Sequence, residues 1–256
     1  MDKAGATGSY HIIKKSWNNM KTAVAVFVKT PGLSPIKTRL AKSIGQKTAE
    51  IFFIQCVKTI EKTLLDVHKI TDGQIQPFWA VGEKDGLSNN LWKNFISIHT
   101  GEGSLGERQY HIYSTLLDKY DSVILLGADS PQITSSQILE AVKIINTTKQ
   151  FVMGPALDGG YYLLGGTAKI PKQIWSSVQF SVYDTSEKLV AALNPICSTK
   201  YLYQMVDADT IEDLNILKDE LSQTGFIHHN ELVSWMDNNI WKTQIWESQL
   251  RGKVCV

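Results

Sequence analysis

The sequence predicts an α/β protein, a three-layer α/β/α sandwich around a mainly parallel sheet. Three observations predict it. Short β-rich apolar runs alternate with longer segments of helical periodicity, the pattern of βα units with helices on both sheet faces. The runs Thr22–Lys29 and Asp121–Gly127 are nearly continuous in apolar residues, as strands buried on both faces are. The chain has 256 residues, 43% of them hydrophobic, ample for a packed core.

The elements follow in order. Residues 1–20 read as a loose tail or short leading helix without the apolar stretch of a signal peptide. Thr22–Lys29 is the first strand. The loop Thr30-Pro-Gly-Leu-Ser-Pro-Ile36 ends it, with two prolines and a glycine as breakers. A helix is expected over Lys47–Asp66, where Ile51, Ile54, Val57, Ile60 and Leu64 fall near one face. Gln76–Val81 and Phe95–Ile98 are the next strands, and the glycine-rich Gly101–Gly106 opens a helix over Leu105–Tyr120. The strand Asp121–Gly127 ends near Asp129, and Thr134 or Ser135 caps a helix to about Asn146. Phe151–Pro155 is a strand opening into Leu157–Gly166, a helix starts near Asp184 or Thr185, and Tyr201–Val206 is a late strand. Thr210 caps a helix carrying Glu212 and Asp213 in its first turn, where the helix dipole favours them. From His228 a helical extension bearing Trp235, Trp241 and Trp246 packs on the core. The expected divisions are thus 1–20, 21–227 and 228–256.

Bulk chemistry narrows the partners. With 26 Lys and Arg against 25 Asp and Glu, the net charge of +1 gives no bulk bias toward nucleic acid or anionic membrane. No window approaches the ~20 apolar residues of a membrane span. Cys56, Cys197 and Cys255 are widely spaced and form no CxxC, against a zinc site and a disulfide scaffold and for the cytoplasm. The histidines form no site, and His228-His229 reads as surface. The chain lacks a Walker A sequence, a Gly-x-Ser-x-Gly elbow and a Gly-x-Gly-x-x-Gly after the first strand, against P-loop, serine hydrolase and nicotinamide chemistry.

Ligands of open α/β sheets bind outside the carboxyl ends of the strands, so the segments there are the candidates. Lys29, Lys37, Thr38 and Arg39 gather three cations and a hydroxyl after the first strand, suited to phosphate oxygens. Gly106 lies in the glycine-rich turn, and Gly159 and Gly160 follow Asp158; glycines there let a ligand approach the backbone. Asp158 is a candidate to orient a hydroxyl or accept a proton. Asp129 stands alone at a strand end, and Asp207 and Asp209 follow the late strand. Such oxygen ligands suit Mg²⁺ or Mn²⁺ rather than zinc. Each segment also has an ordinary reading as a basic loop, turn or helix cap. Their joint placement on one sheet edge sets them apart.

Five ordered motifs resemble a known family. Phe27–Leu40, Gly103–Arg108, Leu126–Pro131, Gly154–Gly165 and Asp207–Leu214 are similar to the motifs of the bacterial DUF2064 family, also called selenodomain-associated transferase 1. The resemblance covers about residues 22–217. It implies the GT-A fold of nucleotide-diphospho-sugar transferases and a metal-dependent transferase handling a nucleotide donor. Lys37-Thr-Arg-Leu40 also resembles 2-phospholactate guanylyltransferase of the same superfamily. The Asp-x-Asp of glycosyltransferases is reduced to Gly127-Ala128-Asp129, which makes Asp207 or Asp209 the source of further metal ligands.

The leading expectation is a glycosyltransferase-like enzyme with a nucleotide-diphospho-sugar donor and a small-molecule acceptor. The alternatives are a nucleotidyltransferase releasing pyrophosphate from a nucleoside triphosphate, and a non-catalytic nucleotide-binding protein.

Overall fold

The computed structural model describes residues 20–242. Seven strands form one sheet in the order β3-β2-β1-β4-β6-β5-β7. They are β1 (Thr22–Val28), β2 (Ile75–Val81), β3 (Ile96–His99), β4 (Ser122–Gly127), β5 (Phe151–Pro155), β6 (Tyr161–Gly166) and β7 (Thr199–Tyr201). Every pairing is parallel except those of β6, which runs antiparallel to both β4 and β5. Among the described residues eight α-helices accompany the sheet: α1 (Thr38–Ile44), α2 (Gln46–Ile70), α3 (Leu105–Leu117), α4 (Ser135–Thr148), α5 (Lys172–Ser177), α6 (Thr185–Leu193), α7 (Ile211–Thr224) and α8 (Ile227–Met236).

The period of two along β1 builds both faces. Val24, Val26 and Val28 join a core with Phe53, Val57 and Ile60 of α2 and Ile138 and Val142 of α4. Ala23 and Ala25 face the other way, toward Ile112 and Leu116 of α3, Trp175 of α5 and Leu189 of α6. The expected three layers result. A third cluster joins Leu40 of α1 and Phe52 and Cys56 of α2 to Leu214 of α7 and Leu232 and Met236 of α8.

Several elements depart from expectation. A seven-residue helix, α1, precedes α2, and Gly45 separates the two with φ +79°, a value glycine adopts without strain. α2 runs four residues beyond Asp66, and α3 stops three short of Tyr120. The segment 157–166 contains a strand, β6, whose central leucines are buried against β4 and β5. The late strand is β7, three residues long and overlapping Tyr201–Val206 only at Tyr201. The chain then pairs irregularly, Leu202 N–H donating to Met153 O and Met205 N–H to Pro155 O, which leaves Tyr203 exposed. The short helix α5 is an addition that periodicity does not predict.

His228 and His229 are buried rather than on the surface. Packing of α8 on α2 and α7 explains it: Thr63 Oγ1 of α2 lies 3.0 Å from His228 Nε2, and Thr224 Oγ1 of α7 lies 2.6 Å from His229 Nδ1. Trp235 stacks on Phe52 at 6.2 Å, and the Lys218 ammonium sits 4.9 Å above the Trp241 ring. Trp246, Cys255 and residues 1–19 lie outside the described residues. Among the described residues no helix is long and apolar enough to cross a membrane.

Candidate active site

The sheet reverses its strand order at β1, which pairs with β2 on one side and β4 on the other. Such a switch point leaves a crevice at the strand C-termini. The register Phe27↔Gly127 puts the ends of β1 and β4 level, so Lys29 and Asp129 emerge at the same edge. A cleft of about 610 Å³ opens there. It is lined by Lys29, Lys37, Thr38, Arg39, Asp129 and Asp209 among the expected residues, and also by Glu83, Thr100 and Arg108.

The first loop is built to deliver Lys37. Thr30 is buried, and its N–H donates to Glu83 Oε2 at 2.7 Å. Gly32 takes φ +84°, and the Leu33 and Ser34 N–H groups return to Thr30 O. Ile36 is buried as an anchor. Lys37 then adopts φ 49° and ψ 44° at the start of α1. That left-handed conformation costs a side-chain-bearing residue roughly 1–3 kcal/mol and persists where surroundings over-determine it. The surroundings here are two carboxylates. The Lys37 ammonium lies 2.5 Å from Asp129 Oδ1 and 3.0 Å from Asp209 Oδ1, with its side chain 3% exposed. Burial alone would lower the Lys37 pKa, but the charges of Asp129 and Asp209 outweigh it and hold the pKa above its ordinary value.

Alternate residues of a strand share a face, but Asp207 and Asp209 diverge because the chain turns between them, the Asp209 N–H returning to Asp207 O at 2.9 Å. Burial works to raise the Asp209 pKa, and the nearby cations Lys37, Arg39 and Lys29 overcome it and hold the carboxyl below the usual range. Its second oxygen pairs with Arg39 at 2.9 Å. Neither aspartate caps α7: Thr210 and Asp213 form the capping box, and Asp213 Oδ2 also accepts from the Asp209 N–H. Asp207 turns to Ser130, whose hydroxyl donates at 2.5 Å. Burial pushes the Asp207 pKa up to about 7, against the Ser130 bond, with Asp129 and Asp158 adding to the rise.

The glycines do other work than expected. A Cβ on Gly106 would lie 2.4 Å from Trp175 O and 2.6 Å from the Phe180 ring. That glycine lets α3 pack against the α5 region and presents no open face to a phosphate. Gly159 has φ +88°, and a Cβ there would lie 1.7 Å from Tyr183 O, so it accommodates the Tyr183 backbone. A Cβ on Gly160 would meet only the Asp158 carboxylate. Asp158 Oδ1 accepts from the Gly160 N–H at 2.9 Å, closing the β5–β6 turn. Asp158, Gly159 and Gly160 are not among the cleft-lining residues.

Sequence reading missed Arg108, Glu83 and Thr100. Arg108 donates to Gly82 O, Gly103 O and Thr100 Oγ1, pinning the ends of β2 and β3 to α3. The rule that singled out Asp129, that residues just past parallel strands face the ligand, also points to Glu83 and Thr100.

The expected divalent ion does not fit this donor set as the side chains stand. The place between Asp129 and Asp209 belongs to the Lys37 ammonium. Asp207 is turned to Ser130, whose hydroxyl donates to its Oδ1. Among the described residues no three His, Cys, Asp or Glu side chains converge as a metal set.

Comparison with known proteins places these features. Uncharacterized proteins conserved in bacteria, the DUF2064 family, match residues 65–182. That span includes the motifs around Arg108, Asp129 and Asp158 but not the first loop or Asp207–Asp209. No curated protein matches by sequence. A crystal structure from Desulfovibrio desulfuricans G20, provisionally named a nucleotide-diphospho-sugar transferase, is similar at TM-score 0.73 and 23% identity, over 86% of this chain and 97% of that one. The 4-diphosphocytidyl-2C-methyl-D-erythritol synthase of Anaerococcus prevotii DSM 20548 follows at TM-score 0.51 and 12% identity, over 80% of this chain and 100% of that one. A cytidylyltransferase from Leptospira borgpetersenii serovar Hardjo-bovis (strain JB197) gives 0.50 and 15%, over 86% and 95%. At these identities the likeness is one of fold. Residues 65–182 thus match the DUF2064 family, and the chain shares the nucleotide-diphospho-sugar transferase fold.

Proposed function

We propose that the switch-point cleft is the donor site of a transferase whose donor is a nucleotide-diphospho-sugar and whose acceptor is a small molecule. One observation carries the reading. Four cations (Lys29, Lys37, Arg39, Arg108) line the cleft against three carboxylates (Glu83, Asp129, Asp209), at the edge where open α/β sheets bind ligands. The excess of positive charge suits an anionic ligand.

In this reading Lys29, Arg39 and the Thr38 hydroxyl meet the phosphate oxygens. Lys37 supplies fixed positive charge from the cleft floor, where charge on a leaving diphosphate is stabilised without reorganisation. Asp129 and Asp209 position Lys37. Asp158, at the neighbouring turn, orients the acceptor or takes its proton.

Nucleotidyl transfer is the second reading, favoured by the number of cations, since a triphosphate carries more charge than a diphosphate. Against it, Lys37 and Arg39 are already paired with aspartates. The test is a thermal-stability panel of nucleotide sugars and nucleoside triphosphates, followed by product analysis of the best ligand. A true donor at about 100 times its Kd stabilises by roughly 2.7 kcal/mol. Release of nucleoside diphosphate supports sugar transfer, and pyrophosphate supports nucleotidyl transfer. No shift with any donor and no turnover would sink both.

A further inference from the structure

We propose that Lys37 is the resident cation of this site, holding between Asp129 and Asp209 the place a divalent ion would take, so that the chain alone binds no Mg²⁺ or Mn²⁺ there. This goes beyond the transfer reading and does not depend on it.

The geometry carries it. Two carboxylate oxygens from different parts of the chain converge on one point, and the ammonium occupies that point at 2.5 and 3.0 Å. Mg²⁺ would need the same oxygens at about 2.1 Å, with a positive charge standing between them. Neighbouring carboxylate oxygens are engaged as well. The second oxygen of Asp209 pairs with Arg39, and Asp207 Oδ1 accepts from Ser130. Lys37 cannot readily swing away, because its side chain is almost fully buried and its backbone is fixed between buried Ile36 and buried Leu40. Cys56 nearby stays a neutral thiol, its pKa pushed up by burial, so it offers no anion to hold the ammonium elsewhere. A site of this kind carries its cation in the sequence.

The test is a Mn²⁺ titration of the full chain, without nucleotide, read by the paramagnetic resonance of free Mn²⁺. Wild type, Asp129→Asn, Lys37→Met and the double variant Lys37→Met/Asp129→Asn are compared. Wild type and Asp129→Asn are expected to leave the same free signal. Lys37→Met, with two carboxylates and only the exposed Arg39 left as counterion, is expected to gain one bound Mn²⁺ per chain, tighter by at least about tenfold. The double variant is expected to lose it. Uptake of one Mn²⁺ by wild type that Asp129→Asn abolishes would overturn the proposal, as would a folded Lys37→Met that binds no better than wild type. Should Lys37→Met not fold, wild type against Asp129→Asn decides, and Lys37→Arg, which keeps the charge, is expected to fold and leave the signal unchanged.

Discussion

The Ser130 hydroxyl donates to Asp207 Oδ1 across 2.5 Å, tying the end of β4 to the segment that leads into α7. Asp207 is held in an environment that disfavours its charge, and its pKa rises from about 3.8 to about 7 because it is buried. Between those values the folded chain binds more protons at this group than the unfolded chain does. The contribution of this group to stability is therefore fully present below about pH 4 and is lost as pH rises toward 7, with a slope of up to roughly 1.4 kcal/mol per pH unit. Asp209, with its lowered pKa, acts with the opposite slope at the acid end. Subtracting the denaturation profile of Asp207→Asn from wild type isolates the Asp207 slope. A difference flat from pH 4 to 8 would refute the assignment.

The Lys37 pairing predicts non-additive losses. Asp129→Asn and Asp209→Asn each leave the buried ammonium with one carboxylate. Each is expected to cost about 1–3 kcal/mol, with Asp129 at the low end because its side chain is 46% exposed. The double variant is expected to cost more than the sum, since the charge is then unpaired. Urea denaturation of the four chains measures it, and simple additivity would count against the shared ammonium.

Glycine substitutions separate packing from ligand contact. Gly159→Ala combines φ +88° with a backbone oxygen 1.7 Å from the new Cβ. It and Gly106→Ala are each expected to lose about 2–4 kcal/mol. Gly160→Ala, whose new methyl meets only the Asp158 carboxylate, is expected to stay within about 1 kcal/mol of wild type. Thermal denaturation ranks them. Equal stability of Gly106→Ala and wild type would restore Gly106 as a ligand contact.

Arg39 should show the reverse behaviour. Its side chain is 62% exposed, so Arg39→Ala is expected to change stability by no more than about 0.5 kcal/mol. Loss of a charged phosphate contact is expected to weaken nucleotide binding about tenfold. Thermal denaturation reads the first, and calorimetry with the best ligand of the donor panel reads the second. Unchanged affinity would remove Arg39 from the phosphate site.

Much of the fold was legible because the inner strands are short, apolar and separated by breakers. Thr22–Val28 and Ser122–Gly127 fall where the runs do, and Thr134 and Thr210 cap as their spacing suggests. β6 was not legible, because Leu163-Leu164 sit between a glycine pair and another glycine pair, which reads as a turn. β7 failed for a different reason: edge pairing stops at Tyr201 and continues through single bonds that periodicity cannot report. At the site, sequence brought Lys29, Lys37, Arg39, Asp129 and Asp209 to one cleft. It could not say which cation meets which anion, because Lys37 finds its partners 92 and 172 positions away.

That 172-residue separation has a consequence for synthesis. Domains of this kind emerge from the ribosome N-terminal end first. Until Asp209 and the residues after it are made, the basic loop and α1 are complete but lack Asp209, and Leu40 and Phe52 lack the α7 and α8 side chains that cover them. Long-range closure of this sort is slow to form. The growing chain thus exposes an unbalanced basic loop beside an uncovered apolar face until Asp209, α7 and α8 are out, and that interval is when it most needs shielding from other nascent chains.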